Sequence, residues 1–109
     1  MAFDTELAAR VRKELGKRKG LAEKRMFGGL AFLLNGNMCC GVHGRELIVR
    51  LNPTDTDRAL EDRHVRLFDL TGRPMKGWIL VQAAGLTTAA DLAKWVGTGL
   101  KYAASLPAK

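Results

Sequence analysis

Cysteine is scarce in this chain. Its 109 residues include two, adjacent at Cys39 and Cys40. Two are too few for a disulfide framework, and no secretory signal accompanies them, since MAFDTELAARVRK has no apolar core after a basic start. A run of eighteen apolar residues is also missing, which excludes a membrane-spanning helix. The expected setting is therefore a reducing cytoplasm, with no membrane role. There is no phosphate-cradling glycine loop, internal repeat, low-complexity tract or linker. Acidic residues are outnumbered, 11 against 18 basic, for a formal net charge of +7.

A chain of this length fits one domain over residues 1–109, burying roughly 60–70% of its extended surface in a single core. Residues 1–25 hold eight basic and four acidic side chains, a local charge of +4. Clustered basic charge suits nucleic acid or an acidic protein surface; it also suits a solvated helix face that keeps the protein soluble. Arg12, Lys13, Lys17, Arg18, Lys19, Lys24 and Arg25 are the candidate phosphate contacts, joined by Arg73 and Lys76. No recognition-helix motif accompanies them, so any nucleic-acid contact is expected to be weak and nonspecific.

Asp4 is placed to cap a first helix whose apolar stripe is Leu7, Ala8, Val11 and Leu15, ended by Gly16 or Gly20. KRKG reads as a basic loop. RMFGGLAFLLNGNMCCGVHGRELIVRLN then reads as a three-strand meander over about residues 25–34, 37–43 and 46–51. Asn35-Gly36 forms its first turn and Gly44-Arg45 its second. Pro53 stops the third strand, and TDTDRALED reads as a short polar helix with Thr54 as its cap. VRLFDL and GWILVQA are two further strands, joined by Thr71, Gly72 and Pro74. Thr88 and Asp91 resemble a capping box for a last helix with Leu92, Trp95, Val96 and Leu100 inside. Gly97 and Gly99 either let that helix pack closely or split it in two. The expected fold is α+β, a two-layer α-β(3)-α-β(2)-α domain with a mostly antiparallel five-stranded sheet and helices on one face.

NMCCGVH invites a metal or nucleophile reading, but strand register argues against both. Neighbouring strand residues point to opposite faces, and Cys39 and His43, which share a face, are ~13 Å apart along a regular strand. Metal ligands must converge on one ion, and a Cys–His pair needs hydrogen-bond contact. No metal, cofactor or catalytic set is expected, and Glu46, Asp69, His43 and His64 have no motif-like spacing. With the turns fixed, Leu33 faces Met38, Ala31 faces Cys40 and Gly29 faces Val42. Cys40 faces Val49, Val42 faces Leu47 and Met38 faces Leu51. That face belongs to the core. The opposite one collects Leu30, Phe32, Cys39 and Ile48, too apolar for plain solvent. It is a candidate homodimer or protein-partner interface unless the same chain covers it.

RMFGG (Arg25–Gly29), the meander ending in IVRL (Ile48–Leu51) and GRPMKGW (Gly72–Trp78) together resemble the N-terminal domain family of TfoX/Sxy, the bacterial competence regulators. The resemblance spans about Thr5 to Leu106. It implies the same order of helices and strands, and a role in regulating transcription of DNA-uptake genes through other DNA-bound proteins. It brings no catalytic or ligand-binding residues. The chain stops at Lys109, so a stand-alone N-terminal domain is expected, a non-enzymatic regulatory module working through protein or nucleic-acid contacts. The alternative is a dimerisation or interaction module with no nucleic-acid role.

Overall fold

A computed structural model describes residues 3–26, 28–68 and 76–108. Helix α1 spans Thr5–Leu15; Asp4 caps it by accepting from the Glu6 and Leu7 N–H groups, and Gly16 (φ 65°) ends it. Four strands follow: β1 (Leu21–Met26), β2 (Gly29–Leu34), β3 (Asn37–His43) and β4 (Glu46–Arg50). A short 3-10 turn and helix α2 (Thr56–Ala59) lead to β5 (Val65–Leu67) and β6 (Trp78–Val81), and α3 (Ala89–Ser105) closes the fold. The sheet order is β1-β2-β3-β4-β6-β5, every pairing antiparallel. The architecture is the expected α+β class with α1 and α3 on one face.

The expected first strand over about residues 25–34 is instead the end of one strand and the whole of a second. Residues 21–26 form an edge strand that turns back at Gly28 (φ 75°) into β2. The adjacent Gly29 lies so close to the Val42 carbonyl that a Cβ there would overlap it. The double glycine therefore serves a turn and a tight strand contact in succession. Among the described residues the sheet thus has six strands, one more than expected, within the same α+β architecture. At the first 3-10 turn, Asn52 is the cap in place of Thr54, accepting from the Thr54 N–H at 3.0 Å. Thr88 does cap α3, accepting from the Asp91 N–H at 3.1 Å. Asn35 (φ 53°) and Gly36 (φ 83°) form the expected turn. The expected Thr71, Gly72 and Pro74 turn lies outside the described residues.

The core has two layers. Beneath the helices, Leu7, Val11 and Leu15 of α1 and Leu92, Trp95 and Val96 of α3 cover Leu30, Phe32, Leu34, Cys39, Cys40, Val42, Leu47 and Val49. On the other face Ala31, Met38, Ile48, Phe68 and Leu80 form a second buried cluster, with Leu33 and Trp78 packed against it. Arg50 lies over the Trp78 ring, 5.1 Å from its centroid, at the margin of that cluster. Thr56 is fully buried, and its hydroxyl accepts from the Gly77 N–H at 2.8 Å, satisfying a backbone donor inside the protein.

A β-bulge decides which residues enter which layer. Leu33 pairs with Met38 as expected, but Phe32 pairs with Cys40, not Ala31. One step along β2 is matched by two along β3, leaving Cys39 as the extra residue. Beyond the bulge β2 is displaced by one, so Leu30 faces Val42 and Ala31 faces Gly41. A one-residue slip moves each side chain to the opposite face. Leu30, Phe32 and Cys39 are therefore buried beneath the helices and do not share a face with Ile48. Ala31 and Met38 go the other way. The pairings Cys40–Val49 and Val42–Leu47 hold.

Candidate functional site

The bulge brings the sulfurs together instead of separating them. Cys39 Sγ lies 3.9 Å from Cys40 Sγ and 3.3 Å from the Phe32 carbonyl oxygen, to which it donates. Both thiols are fully buried. Their shared hydrogen bond, and then burial, push the Cys40 thiol well above its ordinary range. Neither sulfur has an imidazole or carboxylate in hydrogen-bond contact among the described residues, and an enclosed thiol that no base contacts is a poor nucleophile. Both cysteines are expected to resist a water-soluble disulfide reagent until the domain unfolds. The stability typical of a small domain, about 5 kcal/mol or more, slows their reaction by about a thousandfold or more. Rapid titration of either thiol in the folded protein, measured by absorbance, would contradict this placement.

Among the described residues, no three His, Cys, Asp or Glu side chains come together as a metal site. Glu46 is engaged by Arg66, 2.8 Å from its carboxylate, and Asp69 lies outside the described residues.

The basic residues fall into two groups by position. Arg12, Lys13, Lys17, Arg18, Lys19, Lys24 and Arg25 all belong to α1, the loop after it or edge strand β1. Lys76 precedes β6 on the far side of the sheet, its ammonium 3.9 Å from Asp57 with both side chains largely exposed. Arg73 lies outside the described residues. Within the first group three cations are engaged. Arg12 makes a two-pronged contact with Glu23, Nε–Oε2 2.7 Å and Nη2–Oε1 2.9 Å, which joins α1 to β1. That guanidinium holds the Glu23 carboxyl below the usual carboxylate range. Arg18 donates through Nε to the Leu15 carbonyl oxygen at 2.9 Å, satisfying an open carbonyl of the last turn of α1. Arg25 lies 5.7 Å from the Phe3 ring centroid. Lys13, Lys17, Lys19 and Lys24 are exposed and have no such partner among the described residues.

Between the end of α1 and β1 runs an open cleft of about 400 Å³, lined by Arg12, Leu15, Gly16, Leu21, Ala22, Glu23 and Phe32. Its floor is apolar and its rim charged. Little in the local pattern marks this cleft. LAEKRM is polar on both faces, so the alternation that marks a half-buried strand is missing, and residues 21–24 merge with the basic loop before them. The foreseen apolar interface is not open. Ile48 is buried in the second cluster, Leu30, Phe32 and Cys39 lie in the first, and Met26 is the one large hydrophobic exposed among the described residues.

No helix among the described residues is long and apolar enough to cross a membrane. A family model described as the TfoX N-terminal domain matches residues 13–103. No curated protein and no solved structure matches the chain.

Proposed function

The chain belongs to the TfoX N-terminal domain family, and from that membership and its charged edge we propose that it is a non-enzymatic regulatory module, linked to transcription of the competence type, that acts by contact with an anionic partner. The observation that carries this reading is a group of four exposed lysines at the β1 end of the fold, Lys13, Lys17, Lys19 and Lys24. They are set on α1, the following loop and β1, while Arg12, Arg18 and Arg25 beside them are engaged within the fold. Free cations fixed on a firm scaffold offer a surface for phosphates or carboxylates. The reading without nucleic acid is favoured by the open backbone edge of β1 beside these lysines.

The test is a comparison of transcripts in cells with the wild-type gene, a deletion, and a variant carrying Lys13→Glu, Lys17→Glu, Lys19→Glu and Lys24→Glu. A defined set of transcripts is expected to change in the deletion and equally in the folded variant. Unaltered transcripts in the deletion would sink the regulatory reading. If the partner is duplex DNA held by these four lysines, log affinity falls with log salt at a slope of about −3.6, and the variant loses that dependence. Salt-independent binding would exclude the phosphate contact.

A further inference from the structure

The sheet order leaves β1 and β5 at its edges among the described residues, and β1, twice as long as the three-residue β5, stands beside the cleft and carries Lys24, with Lys17 and Lys19 in the loop that enters it. Its backbone polarity follows from two contacts. The Gly20 carbonyl accepts from the Asn35 N–H at 2.9 Å, and Met26 pairs with Gly29 where the chain turns. In an antiparallel ladder, mutually bonded pairs alternate with unbonded ones. Ala22, Lys24 and Met26 therefore direct their N–H and C=O groups to β2, while Leu21, Glu23 and Arg25 direct theirs outward. The Leu21 N–H returns to the Arg18 carbonyl at 3.4 Å. The Leu21 carbonyl and both backbone groups of Glu23 and Arg25 are left along an edge that pairs with nothing else among the described residues.

We propose that this edge accepts an extended acidic peptide segment as a seventh strand, its residues alternating between apolar and acidic. The inference rests on the contact-module reading above and names its partner's chemistry. Residues of an added strand that point to the helix side lie beside Leu21 and Glu23, over the cleft whose floor includes Leu15, Leu21 and Phe32. An apolar side chain fits there. Residues that point to the other side lie beside Ala22 and Lys24, where a carboxylate meets a free ammonium. Lys17 and Lys19 add positive field at the entrance to the strand. Backbone pairing then supplies affinity and the alternate side chains supply specificity.

Other occupants fit less well. A nucleic-acid backbone presents acceptors alone and leaves the outward N–H and C=O alternation unused. A second copy of β1, paired antiparallel about a twofold axis at Glu23, sets that carboxylate against its own copy; an axis at Lys24 sets two ammoniums together but also brings Glu23 opposite Arg25, so self-association is kept as an outcome of the test. Like charges directly opposite are unfavourable.

The test uses the full chain and a labelled synthetic peptide alternating valine and glutamate, followed by fluorescence anisotropy and by backbone NMR. Binding is expected to shift the amide signals of Leu21–Met26, and Lys24→Glu is expected to weaken it by about tenfold or more. Glu23→Pro removes an outward N–H while leaving the β2 ladder intact, as an edge strand tolerates, and is expected to abolish binding. Glu23→Gln is expected to bind as wild type does. Should Glu23→Pro unfold, the same peptide N-methylated on alternate residues asks the same question from the other side, and it is expected not to bind. Equal binding of the methylated peptide, or no binding of the unmodified one, overturns the proposal. Binding of duplex DNA without the peptide also overturns it and leaves the regulatory reading standing. Self-association abolished by Glu23→Pro assigns the edge to a second copy and overturns it as well. Peptide binding in a protein whose deletion alters no transcripts would support this inference while removing the regulatory one.

Discussion

Replacing Gly99 with alanine is expected to destabilise the domain by about 3 kcal/mol, whereas the same change two residues earlier, at Gly97, stabilises it by about 1 kcal/mol. Both glycines lie inside α3, which runs unbroken from Ala89 to Ser105. A Cβ at Gly97 would meet nothing within 4 Å, so alanine there gains helix propensity without a steric charge against it. A Cβ at Gly99 would overlap the carbonyl oxygen of Cys39 and come within 2.9 Å of its carbonyl carbon. That obstacle is backbone, and it belongs to the bulged residue of β3, so neither a rotamer change nor a small strand shift relieves it. The helix must lift or the bulge must move. Either response disturbs Val96 and Ala103 above and Phe32 and Cys40 below, all in the same buried cluster. Urea unfolding is the measurement: the midpoint should fall for Gly99→Ala and rise for Gly97→Ala, with similar slopes. Equal effects at the two positions would mean that the close approach of α3 to β3 is absent in solution.

The same contact shows which parts of the fold were legible in the sequence. Asp4, Thr88 and Asn35-Gly36 act through neighbours within three residues, and each does what local chemistry predicts. The bulge is different. Met38, Cys39 and Cys40 carry no mark that distinguishes a bulged strand from a regular one. The extra residue at Cys39 is accommodated by Gly99, sixty residues away, whose missing side chain admits the Cys39 carbonyl. A non-local cause cannot be read from local pattern. Its effect spreads along the sheet, because one extra residue reverses the facing of Ala31, Phe32 and Leu30 together. Edge strand β1 was hidden for another reason. Its residues are exposed on both sides, so no hydrophobic period announces it. Its candidate site was half legible: the lysines stood out as a charge cluster, but the cleft and the Arg12–Glu23 contact that organise them needed the third dimension.

Phe32→Glu is expected to unfold the domain rather than to dissociate an assembly. A surface position in an interface would tolerate the change and lose only its partner. Phe32 is 2% exposed and packs within the layer beneath the helices. Removing its ring forfeits about 3–5 kcal/mol of packing and transfer free energy. A carboxylate in its place adds a desolvation cost of several kcal/mol unless it is paired or neutralised. The cation on that cleft wall is Arg12, and Glu23 already occupies both prongs of its guanidinium. A new carboxylate either displaces Glu23 or remains unpaired. Together these costs reach the 5–15 kcal/mol that holds a typical domain folded. Burial raises the new carboxyl's folded pKa above its unfolded value, so the folded state binds the proton more tightly. The variant is therefore least unstable in acid and becomes less stable as pH rises through that folded pKa. Met26→Glu provides the contrast: Met26 is 38% exposed, and the substitution is expected to change stability by no more than about 0.5 kcal/mol. Circular dichroism at pH 4 and pH 8 separates the two variants, with sedimentation as the second measurement. A Phe32→Glu protein that keeps its helical signal at pH 8 and merely halves its sedimenting mass would return Phe32 to an interface and contradict the bulged register of β2 on β3.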